Sequence, residues 1–139
     1  MSMIRQTILI REDLQFPIGL LAAQVSHIGE LPLIDQMLGF LEDNEPIESP
    51  EDAFENKDLV EWLSSPFKFV HGVPNQEVLH YFINRAKEHD VPVLTWNDTV
   101  YLKVGDKDEP FEDVIVGASL GPCDSDKIKM VIGTLDLLR

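Results

Sequence analysis

The stretch F-P-I-G-L-L-A-A-Q-V-S-H, residues 16–27, reads as a turn opening into a helix and sets an amide, Gln24, three positions ahead of an imidazole, His27. Residues at i and i+3 share a helix face, and an imidazole is the side chain that moves protons near neutral pH. Gln24 is spaced to satisfy that ring nitrogen or a backbone group. The mouth of the same helix carries Ile18 and Leu20, where a catalytic or phosphate-binding helix start would hold a charge. Asp13 stands at the end of the preceding strand-like run, placed to cap the turn. Asp98 follows Asn97 in what reads as turn composition. His71, His80 and His89 are scattered without ligand spacing. Cys123 has no identifiable base beside it and reads as a packed thiol rather than a nucleophile. There is no G-x-x-x-x-G-K-[ST], no G-x-G-x-x-G and no metal-ligand spacing, so no cofactor and no metal are expected.

The elements that must hold these residues follow from hydrophobic patterning. Residues 4–11, I-R-Q-T-I-L-I-R, end in an apolar run suited to a strand buried on both faces. A helix is predicted from Leu20 to about Phe40, with Leu21, Val25 and Ile28 inward and Pro32 kinking or ending its first part. Residues 42–52, with Pro46 and Pro50 among acids, read as loop. Residues 49–64 offer an amphipathic helix with Phe54, Leu59, Trp62 and Leu63 inward. A strand at 67–71 closes at Gly72, and Asn75 caps a helix running to about His89. Residues 91–96 form a third strand, 97–98 a turn, and 99–104 a further short strand. Residues 105–110 read as a charged loop. The run 113–120 is another buried strand, with Gly117 marking a close backbone approach. Asp124 or Ser125 then caps a short helix ended by Gly133. Strands interleaved with helices imply an α/β domain: a mixed four- to five-stranded sheet with helices packed on its faces. One domain is expected over residues 1–139, with an acidic insertion-like segment around 32–65.

Composition narrows the partners. The chain has 139 residues, 44% of them hydrophobic, and a single cysteine, which excludes an intrachain disulfide and a cysteine-based zinc site. No run approaches the roughly 18 apolar residues of a membrane span, so no membrane partner is expected and a cytoplasmic protein is. Eleven Lys and Arg against 25 Asp and Glu give a net charge of −14, which repels nucleic acid at long range unless the cations gather on one face. Between Glu42 and Glu61 lie nine acids and one cation, Lys57. That run is either a solvated surface or a docking surface for a basic protein partner. A homodimer is also open.

Two stretches go beyond generic α/β patterning: Arg11-x-Asp13-Leu14 leading into G-L-L-A-A-Q-V-S-H, and V-G-A-S-L-G-P-C-D-S-D-K-I-K-M-V-I-G-T-L-D-L-L near the end. Together they resemble the type II peptidyl-tRNA hydrolase family, which cleaves the ester between a peptide and tRNA. In that family a strand ending R-x-D-L passes through a Gly/Lys turn into a helix bearing A-A-Q-x-x-H. A later strand ends D-A-G-x-T, and a last buried strand ends in G-P before a helix and a short tail. The resemblance covers residues 4–31 and 66–138.

Its functional residues carry over unevenly. Arg11 and Asp13 match R-x-D-L, and Gln24 and His27 match A-A-Q-x-x-H. The family's catalytic Asp falls on Asp98. Its Thr falls on Leu102, while Thr99 offers a hydroxyl at a different position. The family's turn lysines meet Pro17-Ile18-Gly19-Leu20, so both are absent. The resemblance therefore implies Asp98, His27 and Thr99 as catalytic candidates and Gln24, Asp13, Arg11 and Leu20 as binding positions. Ester hydrolysis needs an oriented water and a stabiliser for the developing oxyanion. Asp98 or His27 would orient the water, but the cationic half of the site is missing. Two readings follow: a degenerate or substrate-shifted hydrolase-like protein acting as a binding module or weak hydrolase, or an active peptidyl-tRNA hydrolase. A positive cleft built by Arg5, Arg11 and Lys103 would favour the second, with tRNA as partner.

Overall fold

The computed structural model describes residues 3–43 and 56–138. Its strands are β1 (Ile4–Arg11), β2 (Lys68–Val73), β3 (Val93–Val104) and β4 (Lys107–Asp124). Its helices are α1 (Ile18–Asp43), α2 (Lys57–Ser64), α3 (Gln76–Glu88) and α4 (Ser125–Ile132). The strands form one mixed sheet in the order β2-β1-β4-β3. β1 runs parallel to β2 and antiparallel to β4, and β4 runs antiparallel to β3.

The sheet has a core on each face and β1 reaches both, with Ile8 and Ile10 from one alternating row and Leu9, which stands between Thr7 and Arg11, from the other. Ile8 and Ile10 join Ile28 of α1 and Val116 of β4 in one cluster. Leu9 joins Leu79, Ile83 and Ala86 of α3, and Ile128 and Val131 of α4, in the other. At full burial each such side chain contributes about 1.5–3 kcal/mol. Gln6, fully buried, crosses between layers by donating to the Gly29 carbonyl of α1 at 3.1 Å and the Ser119 hydroxyl at 2.9 Å. The expected caps are in place. Asn75 accepts from the Val78 N–H, Asp124 from the Asp126 N–H, and Gly133 ends α4 at φ 57°.

Several elements depart from the sequence reading. α1 does not end at Pro32 but continues to Asp43. Pro32 is buried beside the core layer that holds Ile28, and tertiary packing carries the roughly 3 kcal/mol that a helix-interior proline costs. Within α2, Leu59 and Trp62 are buried as expected, but Leu63 faces solvent. The start of that expected helix, with Phe54, and most of the expected loop at 42–52 lie outside the described residues. Gly72 does not close β2, which pairs on through Val73.

The largest departure concerns residues 97–110. No turn falls at 97–98 and no separate strand at 99–104: β3 is one strand of 12 residues. The expected loop at 105–110 is a two-residue hairpin turn, with Val104 paired to Lys107 and Gly105 at φ 68°. A positive φ at the first central position is what such a turn demands, and glycine adopts it without strain. Pro110 is tolerated because β4 has only β3 beside it over 107–114, so its missing N–H breaks no second ladder.

Gly117 is a close approach, as the sequence suggested. A Cβ there would collide with the Leu9 carbonyl oxygen and lie 2.7 Å from Ile28 Cδ1. Gly117→Ala is expected to lower stability by about 1–3 kcal/mol through overpacking, read as a drop in urea midpoint at unchanged slope. A change below about 0.5 kcal/mol would contradict this placement of α1 on the sheet.

Candidate active site

β3 alternates without interruption from Thr95 to Lys103. Trp96, Asp98, Val100 and Leu102 turn inward, and Thr95, Asn97, Thr99, Tyr101 and Lys103 turn outward. Irregularities in pairing with β4 fall between Trp96 and Asn97 and between Asp98 and Val100. The inward row faces α1, and it brings a carboxylate into an otherwise apolar file.

Gln24 meets that row. It is 3% exposed; its amide oxygen accepts from the Trp96 indole N–H at 2.7 Å, and its amide nitrogen donates to Asp98 Oδ2 at 2.9 Å. The amide's orientation is forced, because an indole can only donate. Asp98 Oδ1 accepts from the Thr99 backbone N–H at 2.8 Å. Both carboxylate oxygens are thus fixed, and each keeps a lone pair for another donor. His27 is exposed, and its ring lies 5.1 Å from that of Trp96, tilted by 32°. Gln24 does not serve the His27 ring, as its spacing had suggested, because Trp96 and Asp98 occupy both ends of its amide.

Asp98 opens into a pocket of about 300 Å³ lined by Leu14, Gln15, Phe16, Pro17, Leu20, Gln24, Thr99, Val100 and Tyr101. Six of these linings are apolar, and no Lys, Arg or His is among them. Of the sequence candidates, Asp98, Thr99, Gln24 and Leu20 converge here. His27 is one ring removed, behind Trp96. Arg11 and Asp13 do not line this pocket. They form a bidentate pair at 3.0 and 2.8 Å, and Arg11 also donates to the Ile115 carbonyl at 3.0 Å. Asp13 therefore pins the end of β1 through Arg11 instead of capping the turn.

The positive cleft that would favour the tRNA reading is not built by Arg5, Arg11 and Lys103. Arg5 is 7% exposed, donates to the Thr7 hydroxyl and to His71 Nε2, and lies 4.2 Å over the Phe69 ring. Lys103 sits near the hairpin tip, 3.7 Å from Asp108. Among the described residues, no cluster of three His, Cys, Asp or Glu could hold a metal, and no helix is long and apolar enough to cross a membrane.

Trp96, which holds the Gln24 amide, is a site residue that the sequence reading missed, as are the pocket linings Val100 and Tyr101 on the same strand. The signal for Trp96 is the period-two run W-x-D-x-V-x-L, which the turn composition of Asn97-Asp98 hides.

A family model described as peptidyl-tRNA hydrolase PTH2 matches residues 4–138. The chain belongs to that family. The matched span includes residues 32–65, which the motifs alone leave uncovered. No curated protein matches the chain in sequence. Membership makes the protein peptidyl-tRNA hydrolase-like and agrees with its mixed four-stranded sheet and helices.

Three groups away from the pocket have shifted acidities: Arg5, lowered by burial, Cys123 and His71. Burial pushes the Cys123 thiol up to about 11, with Lys127 opposing and Asp58 and Asp124 adding. A buried thiol reacts poorly because the thiolate is the nucleophile. Cys123 should label with a thiol reagent at about pH 8 at least ~100-fold faster in urea than in the folded protein; equal rates would contradict its packing.

His71 is lowered by burial; a bond to the Asp136 carbonyl opposes this, the Arg5 charge adds to it, and a Leu135 bond again opposes. Arg5 can only donate, so Nε2 accepts and Nδ1–H donates to the carbonyls of Leu135 and Asp136, at 3.0 and 3.1 Å. That is a neutral imidazole tying β1 and β2 to the C-terminal segment. The unfolded chain then takes up the proton more readily. The contribution of His71 is full above the ordinary value of about 6.5 and is lost as pH falls below it. The stability gap between the parent and His71→Gln should shrink between about pH 7.5 and 5.5. A gap independent of pH would contradict the neutral assignment.

Proposed function

We propose that this protein is a substrate-shifted, slow ester hydrolase of the peptidyl-tRNA hydrolase type. Asp98 is the group that orients the attacking water, and Gln24 is its positioning residue. The observation that carries this reading is the pocket itself, where a carboxylate held at both oxygens opens among apolar side chains with no cation in the lining. A carboxylate with free lone pairs accepts a proton from water within hydrogen-bond reach. Thr99, on the rim, is placed to contact the substrate. Stabilisation of the oxyanion is the weak half, because Ile18 is 86% and Leu20 48% exposed at the helix mouth and neither donates a hydrogen bond. Losing a dedicated donor costs about 10²–10³ in rate. The net charge of −14 adds repulsion of tRNA, which deepens as salt is lowered and screening is lost.

Single-turnover cleavage of peptidyl-tRNA at two ionic strengths tests this. Slow turnover is expected, faster at the higher salt. Asp98→Asn should abolish it, and Gln24→Leu should reduce it by about tenfold or more, with folding intact by circular dichroism. Leu20→Lys should raise both tRNA binding and rate. Turnover indifferent to Asp98→Asn would overturn the enzyme reading in favour of a non-catalytic binding module. Fast turnover at low salt in the parent would instead establish an active peptidyl-tRNA hydrolase that needs no lysine at the helix mouth.

A further inference from the structure

α1 is apolar nearly all round, yet among the described residues only one side of it has a partner. A helix of that kind is normally buried on all sides. Gln24, Ile28 and Pro32 face the sheet and are buried. Ile34, Met37 and Leu38, which share a face at i, i+3 and i+4, are 42%, 50% and 56% exposed. Adjacent large apolar side chains left in water mark an interaction surface more often than chance.

Charge says what covers this surface. The 26 residues of α1 contain no Lys or Arg. Glu30, one turn before Ile34 on the same face, and Asp35, to one side of the stripe, are both exposed. The sequence then continues from Glu42 to Glu61 with nine acids against one lysine. A second copy of this chain would bring the same acids together, and the net charge of −14 opposes that approach. An anionic membrane surface would be repelled in the same way.

We infer that the C-terminal half of α1 is a docking face for a protein partner presenting a basic amphipathic helix. The partner's apolar ridge would lie on Ile34, Met37 and Leu38, and its Lys and Arg would meet Glu30 and Asp35. Helix-on-groove recognition of this kind reads i, i+3 and i+4 anchors, while opposite charge sets the encounter rate and excludes acidic competitors. This surface is separate from the Asp98 pocket, so the inference does not depend on catalysis.

The test uses the full chain and a fluorescent Leu/Lys peptide, about 18 residues long so that it can be helical, followed by anisotropy. Three comparisons accompany it: a peptide of the same composition scrambled to lose its apolar ridge, a Leu/Glu peptide of the original pattern, and vesicles of neutral phospholipid. Saturable binding of the Leu/Lys peptide alone is expected. Ile34→Gln/Met37→Gln/Leu38→Gln should weaken it by at least about tenfold, with Met37→Gln alone as the milder variant should the triple one fail to fold. Equal binding of the scrambled peptide, or affinity unchanged in the substituted protein, would overturn the inference by reducing it to bulk charge. Absence of binding, capture by neutral vesicles, or a parent dimer dissociated by the same substitutions would also overturn it.

Discussion

Gln24 sits between the sheet and α1, almost fully buried, where a polar group left without a partner would cost about 1–3 kcal/mol. Its two bonds are of opposite kind: one end accepts from Trp96 and the other donates to Asp98. The amide cannot turn over without setting donor against donor at the indole. Helix and edge strand are therefore locked in one relative position. Asp98 inherits its direction from that lock, and the apolar pocket inherits its floor. His27 gains its place in the same way, resting against the indole that Gln24 holds.

The cations matter for the same site through where they are spent. Arg11 gives its guanidinium to Asp13 and to the Ile115 carbonyl, bracing β1 against β4. Arg5 is buried over Phe69 and bonded to a neutral His71, and burial lowers its own pKa as well. Arginine tolerates such settings because its flat, weakly hydrated guanidinium stacks on rings and stays charged. Neither side chain lines the pocket at Asp98, whose electrostatics come from a carboxylate, two amides and backbone groups. An uncharged helix mouth and a carboxylate held on both oxygens leave the pocket with little to stabilise negative charge.

Much of the fold was legible because the burial pattern is regular where the sheet is double-sided. The apolar runs at 4–11 and 113–120, the caps at Asn75 and Asp124, and the stop at Gly133 each have a local physical cause. The hairpin was not legible for the opposite reason. Residues 105–113, G-D-K-D-E-P-F-E-D, are nearly all exposed, so no buried row marks them as strand. Their order comes from pairing with β3, which a linear pattern does not display. The same blind spot hid the site. Asn97-Asp98 has turn composition, and only the alternation on both sides shows that Asp98 belongs to the inward row. The approach of Asp98 to the mouth of α1 is implied by the family resemblance and not by spacing, because 74 positions separate Gln24 from Asp98, while His27 and Asp13, implied with it, do not line the pocket. The diversion of Arg5 and Arg11 into structural bonds depends on side-chain partners that no one-dimensional reading supplies.

The central claim is that Gln24 and Asp98 act as one unit across the helix–sheet boundary. A double-mutant cycle on folding stability measures this directly, using Gln24→Leu, Asp98→Ala and the pair. Hydrogen bonds to charged groups contribute about 1.5–3 kcal/mol, so a coupling of at least about 1 kcal/mol is predicted. Effects that add to within about 0.3–0.5 kcal/mol, as for independent sites, would contradict the account.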